Sequence, residues 1–98
     1  MRVQINASQF EVDEKLSELI NKKVSKLERY FDHIIDCQVF LNEEGHSGQN
    51  KEQSVEIKVN VKDSVLFCKE TAAMYEQSID KAVENMARQL KKYKDKHN

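Results

Sequence analysis

The last quarter of the chain carries the pattern that most constrains the fold. Its apolar residues recur at steps of three and four, as on one face of a helix: Ile79, Val83, Met86, Leu90 and Tyr93. Three cations form a second stripe roughly opposite: Lys81, Arg88 and Lys92. The pattern therefore predicts a helix over residues 79–96 that packs on an apolar core and presents a basic face outwards.

A second helical pattern follows Asp13, which is suited to an N-cap because its side chain can accept backbone N–H bonds. Apolar residues recur at helical spacing over residues 16–31 and predict one core-facing stripe. Basic residues line a flank of this helix with nearly the spacing of the last one: Lys15, Lys22, Lys23, Lys26 and Arg29. Residues 72–78 are expected to lead into the last helix, with Thr71 as a candidate cap.

Three stretches alternate between apolar and polar residues, which is typical of half-buried strands. The first runs from Arg2 to Ala7, the second begins at Ile35, and the third covers residues 55–62. A short apolar run at residues 65–68 predicts a fourth strand. The polar stretch 43–53 contains both glycines and is expected to form a long hairpin loop.

These elements predict an α+β fold, a single domain of order β-α-β-β-β-α. Three strands joined by hairpins would form an antiparallel meander, and the first strand would complete a four-stranded, mostly antiparallel sheet. Both helices are expected to pack on one face of this sheet, as in double-stranded-RNA-binding domains, because a small sheet cannot otherwise cover both apolar stripes. The opposite face would be polar, with Phe40 as a lone exposed aromatic, which is the favoured interpretation, or as a contact point.

The composition fits one compact domain of 98 residues, with 39% hydrophobic and 34% charged residues. The start of the chain has no apolar signal region, no run is long enough to span a membrane, and the two cysteines form no CxxC motif. These features predict a cytoplasmic protein. The net charge of −1 hides a segregation, because residues 86–98 carry +4 and residues 32–56 carry −5.

Residues suited to catalysis are sparse. The three histidines lie far apart, no metal-ligand spacing occurs, and the sequence has neither a glycine-rich phosphate loop nor a nucleophile elbow. Cys37 falls on the predicted core side of its strand, which favours a buried structural thiol, and Cys68 is interpreted similarly. We therefore expect no enzymatic activity, no cofactor, no metal and no small-molecule substrate.

The two basic rows are the strongest functional signal. Charged residues on exposed helix faces usually serve solvation alone, and the tyrosines Tyr30, Tyr75 and Tyr93 are interpreted as core or half-core residues. However, two helices on one side of a sheet would bring their cationic rows together, forming a groove suited to a polyphosphate backbone. The expected lining residues are Lys22, Lys23, Lys26, Arg29, Lys81, Arg88, Lys91 and Lys92. Recognition of folded RNA by shape and phosphate contacts fits better than base readout.

Three segments carry a resemblance to a known family: RVQINA at residues 2–7, KKVSKLERYFDHI at 22–34 and SIDKAVENMARQLKKYKDK at 78–96. The last is the most specific, because its RQL-KK-K-K ending after an ID turn is typical of that family. Over nearly its whole length the chain resembles the ribosome hibernation-promoting factors, also called ribosome-associated translation inhibitors or protein Y.

The resemblance implies a single ribosome-binding domain over residues 1–98 that acts in stationary phase or stress. It implies binding to the small ribosomal subunit, in the channel of mRNA and the A- and P-site tRNAs, with inhibition of translation and ribosome hibernation. Carried over by position, the 16S rRNA contacts would be Lys22, Lys23, Lys26, Arg29, Lys81, Arg88, Lys91, Lys92 and Lys94. The chain looks like the short type, which in some bacteria works with a separate ribosome modulation factor.

Two other functions remain open at the level of the sequence. A general binder of structured or double-stranded RNA shares the basic helix, although such modules usually lack the leading strand. A basic protein–protein interaction domain would instead present its cationic rows to an acidic partner. The acidic stretch 43–53 is expected to point away from bound RNA.

Overall fold

A computed structural model describes residues 1–45 and 52–96 of the protein. The described residues form four strands, two α-helices and one short 3₁₀ helix. In chain order these are β1 (Arg2–Ala7), α1 (Glu14–Val24), the 3₁₀ helix (Ser25–Arg29), β2 (Asp36–Glu44), β3 (Glu52–Val61), β4 (Ser64–Ala72) and α2 (Tyr75–Lys96). The predicted order β-α-β-β-β-α is confirmed.

The strands form one sheet in the order β1-β2-β3-β4. β1 pairs with β2 in parallel, so that Val3 lies beside Cys37. β2, β3 and β4 form the predicted antiparallel meander, in which Ile57 pairs with Cys68. Parallel neighbours need a crossover connection, and α1 supplies it between β1 and β2.

Both helices pack on one face of the sheet, as predicted, and the core lies between the two layers. The alternating residues of the central strands are fully buried: Cys37, Val39, Leu41, Val55, Ile57 and Val59. The helices bury the apolar stripes that the sequence indicates: Ile20, Val24, Leu27, Ile79, Met86 and Leu90. Ala82 of α2 is buried as well. No helix within the described part of the chain is long and apolar enough to cross a membrane.

The outer face of the sheet is less polar than predicted. Val65 and Phe67 of β4 are 53% and 50% exposed on this face, opposite Asn60 and Lys58. The apolar run that contains them conceals the alternation of a strand, because two of its four residues point outwards. Phe40 is half-buried and not a lone exposed aromatic.

The first α-helix ends earlier than the apolar stripe over residues 16–31 predicts. Its start is confirmed, because the Asp13 carboxylate accepts the Leu16 N–H at 2.8 Å. The α-helix ends at Val24 and continues as the 3₁₀ helix. At this junction the Ser25 hydroxyl donates to the Asn21 carbonyl at 2.6 Å, and this kind of bond weakens and bends helices.

Two predicted boundaries of strands are wrong. Ile35 is 59% exposed and precedes β2, while Ile34 is buried in its place. β2 runs through Glu44, which pairs with Glu52 of β3, so residues 43, 44, 52 and 53 of the predicted loop 43–53 belong to strands. Residues 46–51 of that loop lie outside the described residues.

The predicted cap of the last helix is also wrong. Thr71 lies within β4, which continues to Ala72, and α2 begins at Tyr75. The Tyr75 N–H donates to the side-chain oxygen of Gln53 at 2.7 Å. A residue of β3, distant in sequence, therefore satisfies the first N–H of this helix.

The outer edge of β4 is covered by α2. The Gln89 side-chain amide donates to the Phe67 carbonyl at 2.8 Å, and the Lys81 ammonium donates to the Thr71 carbonyl at 3.3 Å. These bonds fix the side of α2 that faces the edge of the sheet.

Candidate nucleic-acid interface

A cleft runs between α2 and the segment formed by α1 and the 3₁₀ helix. We call it the interhelical cleft; it consists of two adjoining depressions of about 280 Å³ each. Its lining residues are Lys23, Lys26, Tyr30, Asp80, Val83, Glu84, Ala87, Arg88 and Lys91. Glu84, Ala87, Arg88 and Lys91 follow one another at helical spacing, so α2 presents them on a single face.

Two contacts join the helices on either side of this cleft. The Lys23 ammonium forms an ion pair with the Asp80 carboxylate. The Phe31 ring meets the Tyr93 ring edge-on, with centroids 5.4 Å apart and an interplanar angle of 87°. Asp80 and Tyr93 are thirteen residues apart on α2, which corresponds to about 20 Å along a helix. The end of α1 and the segment after the 3₁₀ helix are therefore each joined to α2, at points nearly four turns apart on α2.

On the first helical segment, the structure separates the predicted cations into two groups. Lys22, Lys26 and Arg29 are exposed. Lys26 and Arg29 lie three apart in a 3₁₀ helix, where side chains at that spacing eclipse each other and so share one line. Lys23 is half-buried and paired with Asp80, so part of its charge is neutralised within the protein.

On α2, the predicted cations fall on two sides of the helix. Arg88 and Lys91 line the interhelical cleft. Lys81 is bonded to the Thr71 carbonyl, and Lys92 lines a separate depression with Leu66 and Gln89. Seven and four residues advance a helix by about −20° and +40°, so Arg88 and Lys92 lie on opposite sides of the line through Lys81. Lys94 is exposed in the last turns.

Tyr30 and Glu84 are among the lining residues of the cleft that were not predicted from the sequence. Tyr30 is 46% exposed, lines both depressions of the cleft and is not a core residue. Glu84 places a carboxylate in both depressions, among the cations. The exposure of Tyr30 has one signal in the sequence. Its neighbour Phe31 occupies the core-facing position of the apolar stripe over residues 16–31, so Tyr30 does not.

The two thiols are buried in the core, as predicted, and are poor nucleophiles. Burial raises the pKa of Cys37 to about 12 and that of Cys68 to about 11, from an ordinary value of 9.0. The charges of Asp36 and Cys68 add to the shift at Cys37. Both thiols therefore stay protonated at neutral pH, and the thiolate is the reactive form. Within residues 1–45 and 52–96, no cluster of three or more His, Cys, Asp or Glu residues could hold a metal ion.

We expect both cysteines to resist iodoacetamide in the native protein at pH 7.5 and to react fully in urea. Folding raises the pKa of both thiols, so the folded state favours their protonated form. The resulting contribution to the free energy of unfolding is fully present below pH 9 and is lost as the pH rises towards 11 and 12. Mass spectrometry of the alkylated protein measures the reaction. As a control, Val65→Cys places a thiol at an exposed position and should react in the native state; equal rates for all three would contradict the buried assignment.

Comparison with known proteins places the whole described fold in one family. The model of the Ribosomal S30AE family, described as sigma 54 modulation protein / S30EA ribosomal protein, matches residues 3–98. The crystal structure of the Thermus thermophilus Protein Y N-terminal domain has a TM-score of 0.81 and 23% sequence identity, covering 95% of this chain and 99% of that one. This likeness shows the same fold.

Two curated relatives are ribosome hibernation promotion factors. The protein of Deinococcus radiodurans is 32% identical over 96% of this chain, and that of Bacillus subtilis is 33% identical over all of it. The matched regions are 49% and 51% of those proteins, so the chain spans about half the length of these relatives. Since the family model matches almost every residue, the chain belongs to the Ribosomal S30AE family.

Proposed function

We propose that this chain is a non-enzymatic, cytoplasmic translation inhibitor that binds the small ribosomal subunit and promotes ribosome hibernation. The observation that carries the proposal is the cationic interhelical cleft in a member of a family whose relatives are named ribosome hibernation promotion factors. We assign the binding site to the channel of mRNA and the A- and P-site tRNAs, where 16S rRNA would be the ligand.

The charges of the helical layer support this assignment. The side chains that α1, the 3₁₀ helix and α2 leave exposed include several cations: Lys22, Lys26, Arg29, Arg88, Lys91 and Lys94. They lie on the layer that covers the sheet, whereas the outer sheet face is mixed. Phosphates of folded RNA would release counterions on binding these cations, which gives an affinity that falls steeply with salt.

The mechanism needs no chemical step. A protein that occupies the channel excludes mRNA and tRNA by competition, so initiation stops while the ribosome stays intact. The Lys23–Asp80 and Phe31–Tyr93 contacts hold in place the segments that carry the cations, which lowers the cost of ordering the backbone on binding. In bacteria that have a separate ribosome modulation factor, that factor would be a second partner.

Co-sedimentation with purified ribosomal subunits tests the proposal. We expect stoichiometric binding to the small subunit, displacement by tRNA and weaker binding as salt rises. Absence of binding to the small subunit at modest salt would contradict the proposal. Equally tight binding to free duplex RNA would support a general RNA-binding module instead, and binding that survives removal of the exposed cations would indicate a protein partner.

A further inference from the structure

The interhelical cleft contains features that phosphate binding alone does not explain. Its two depressions share three residues: Tyr30, Glu84 and Ala87. A surface that only meets phosphates needs cations, but here an aromatic residue and an acidic residue line the same two depressions as the cations. The third shared residue, Ala87, has a small side chain that fills little of the depressions.

Tyr30 carries an accessible aromatic ring on a backbone that is held in place. Its backbone N–H donates to the Leu27 carbonyl at 3.0 Å, at the end of the 3₁₀ helix. The following residue, Phe31, is half-buried and contacts Tyr93. The backbone of Tyr30 is thus held from both sides while its side chain remains 46% exposed. Exposed aromatic side chains of this kind are where unpaired nucleobases stack.

Glu84 supplies the complementary polar group. The other carboxylate of the cleft, Asp80, is paired with Lys23, but Glu84 forms no ion pair within the described parts of the chain. An ionised carboxylate only accepts hydrogen bonds, and its two oxygens can accept two adjacent donors. Among nucleobases, guanine presents such a pair on its Watson–Crick edge, the ring N–H and the exocyclic amino group.

Cations flank the same position. Lys26 lies on the 3₁₀ helix beside Tyr30, while Arg88 and Lys91 follow Glu84 on the same face of α2. Phosphates on either side of a stacked base would meet these cations, and such contacts fix the position of a nucleic acid. The cleft thus combines a stacking ring, an acceptor pair and flanking positive charge.

The geometry points to a binding site for an unpaired guanine of RNA in the interhelical cleft. The base stacks on the Tyr30 ring, its Watson–Crick edge donates to the Glu84 carboxylate, and neighbouring phosphates contact Lys26, Arg88 and Lys91. This inference rests on the proposed function, because it names the part of a ribosomal RNA that the cleft would take.

The test is a titration of the full chain with the RNA trinucleotides UGU and UAU, followed by NMR chemical shifts of the Tyr30 ring and the backbone of Glu84. We expect UGU to bind about tenfold more tightly than UAU, which is typical of one bidentate contact to a base. Tyr30→Ala should weaken both ligands by about tenfold, whereas Tyr30→Phe, which keeps the ring, should bind both like the wild type.

The variant Glu84→Gln distinguishes two roles of Glu84, acceptance of hydrogen bonds from guanine and simple repulsion of phosphates, because the two roles predict opposite changes in the affinity for UGU. If Glu84 accepts from guanine, the variant loses the preference for UGU over UAU through weaker binding of UGU. If Glu84 merely repels phosphates, the variant binds both trinucleotides more tightly by the same factor, which would overturn the inference. Equal binding of UGU and UAU by the wild type would overturn it as well.

Co-sedimentation with the small subunit separates this inference from the proposed function. A wild-type protein that binds the subunit but does not prefer UGU retains the proposed function and loses the guanine site. A wild-type protein that does not bind the subunit loses the proposed function, whatever its preference among trinucleotides.

Discussion

The double variant Arg88→Glu/Lys91→Glu is expected to bind the small ribosomal subunit about 100-fold more weakly than the wild type, or worse. Both side chains are exposed and line the interhelical cleft. Each charge-assisted hydrogen bond to a phosphate is worth about 1.5–3 kcal/mol, and the new carboxylates add repulsion. Fluorescence anisotropy of labelled protein, titrated with small subunits at one fixed salt concentration, measures the change.

A matched control has the same change of net charge elsewhere. Lys58 lies on the outer face of the sheet and Lys62 follows β3 at an exposed position, so Lys58→Glu/Lys62→Glu alters charge away from the cleft. Its affinity should stay within about threefold of the wild type, because distant surface charges are screened. Equal losses in both variants would mean that net charge, and not the cleft, governs binding. Circular dichroism checks that both variants fold.

The second large effect concerns stability: Leu90→Ala should lower the free energy of unfolding by about 2–5 kcal/mol. Leu90 is fully buried between α2 and the sheet, so truncation removes apolar contacts and leaves a cavity. A domain of this size is typically stable by about 5–15 kcal/mol, so the loss is a large share of the total. Urea denaturation followed by circular dichroism measures it.

Val65→Ala is the corresponding control at an exposed apolar position. Val65 is 53% exposed, and its truncation should change the free energy of unfolding by less than about 0.5 kcal/mol. A Leu90→Ala variant as stable as this control would show that α2 does not pack through its apolar stripe.

The fold was predictable where the period of the pattern is unambiguous. The alternation of apolar and polar residues over 2–7 and 55–62 fits only a strand, and the apolar stripe of α2 fits only a helix. The run that contains Val65 and Phe67 is continuous in hydropathy, so its outward-facing members could not be recognised. The α-helix changes to a 3₁₀ helix at Ser25, where the side-chain hydroxyl also donates to the Asn21 carbonyl, and the spacing of apolar residues does not reveal this change.

The candidate site was predictable only in part. Half of the eight expected basic lining residues line the cleft, namely Lys23, Lys26, Arg88 and Lys91. The other four do not line it: Lys22, Arg29, Lys81 and Lys92. The pairing of Lys23 with Asp80 joins residues 57 positions apart, which no local pattern reveals. The side of α2 on which a cation falls depends on how the buried residues rotate the helix against the sheet.

The hydrogen bonds from α2 to the edge of β4 affect the tendency of the protein to aggregate. An open strand edge is a template for pairing with another chain, and this leads to aggregation. Here Gln89 and Lys81 already occupy the Phe67 and Thr71 carbonyls, so an incoming strand would have to displace the helix side chains first. The same helix that presents the basic cleft also protects the sheet from growing at this edge, and among the described strands β1 forms the other edge, at which the sheet could be extended.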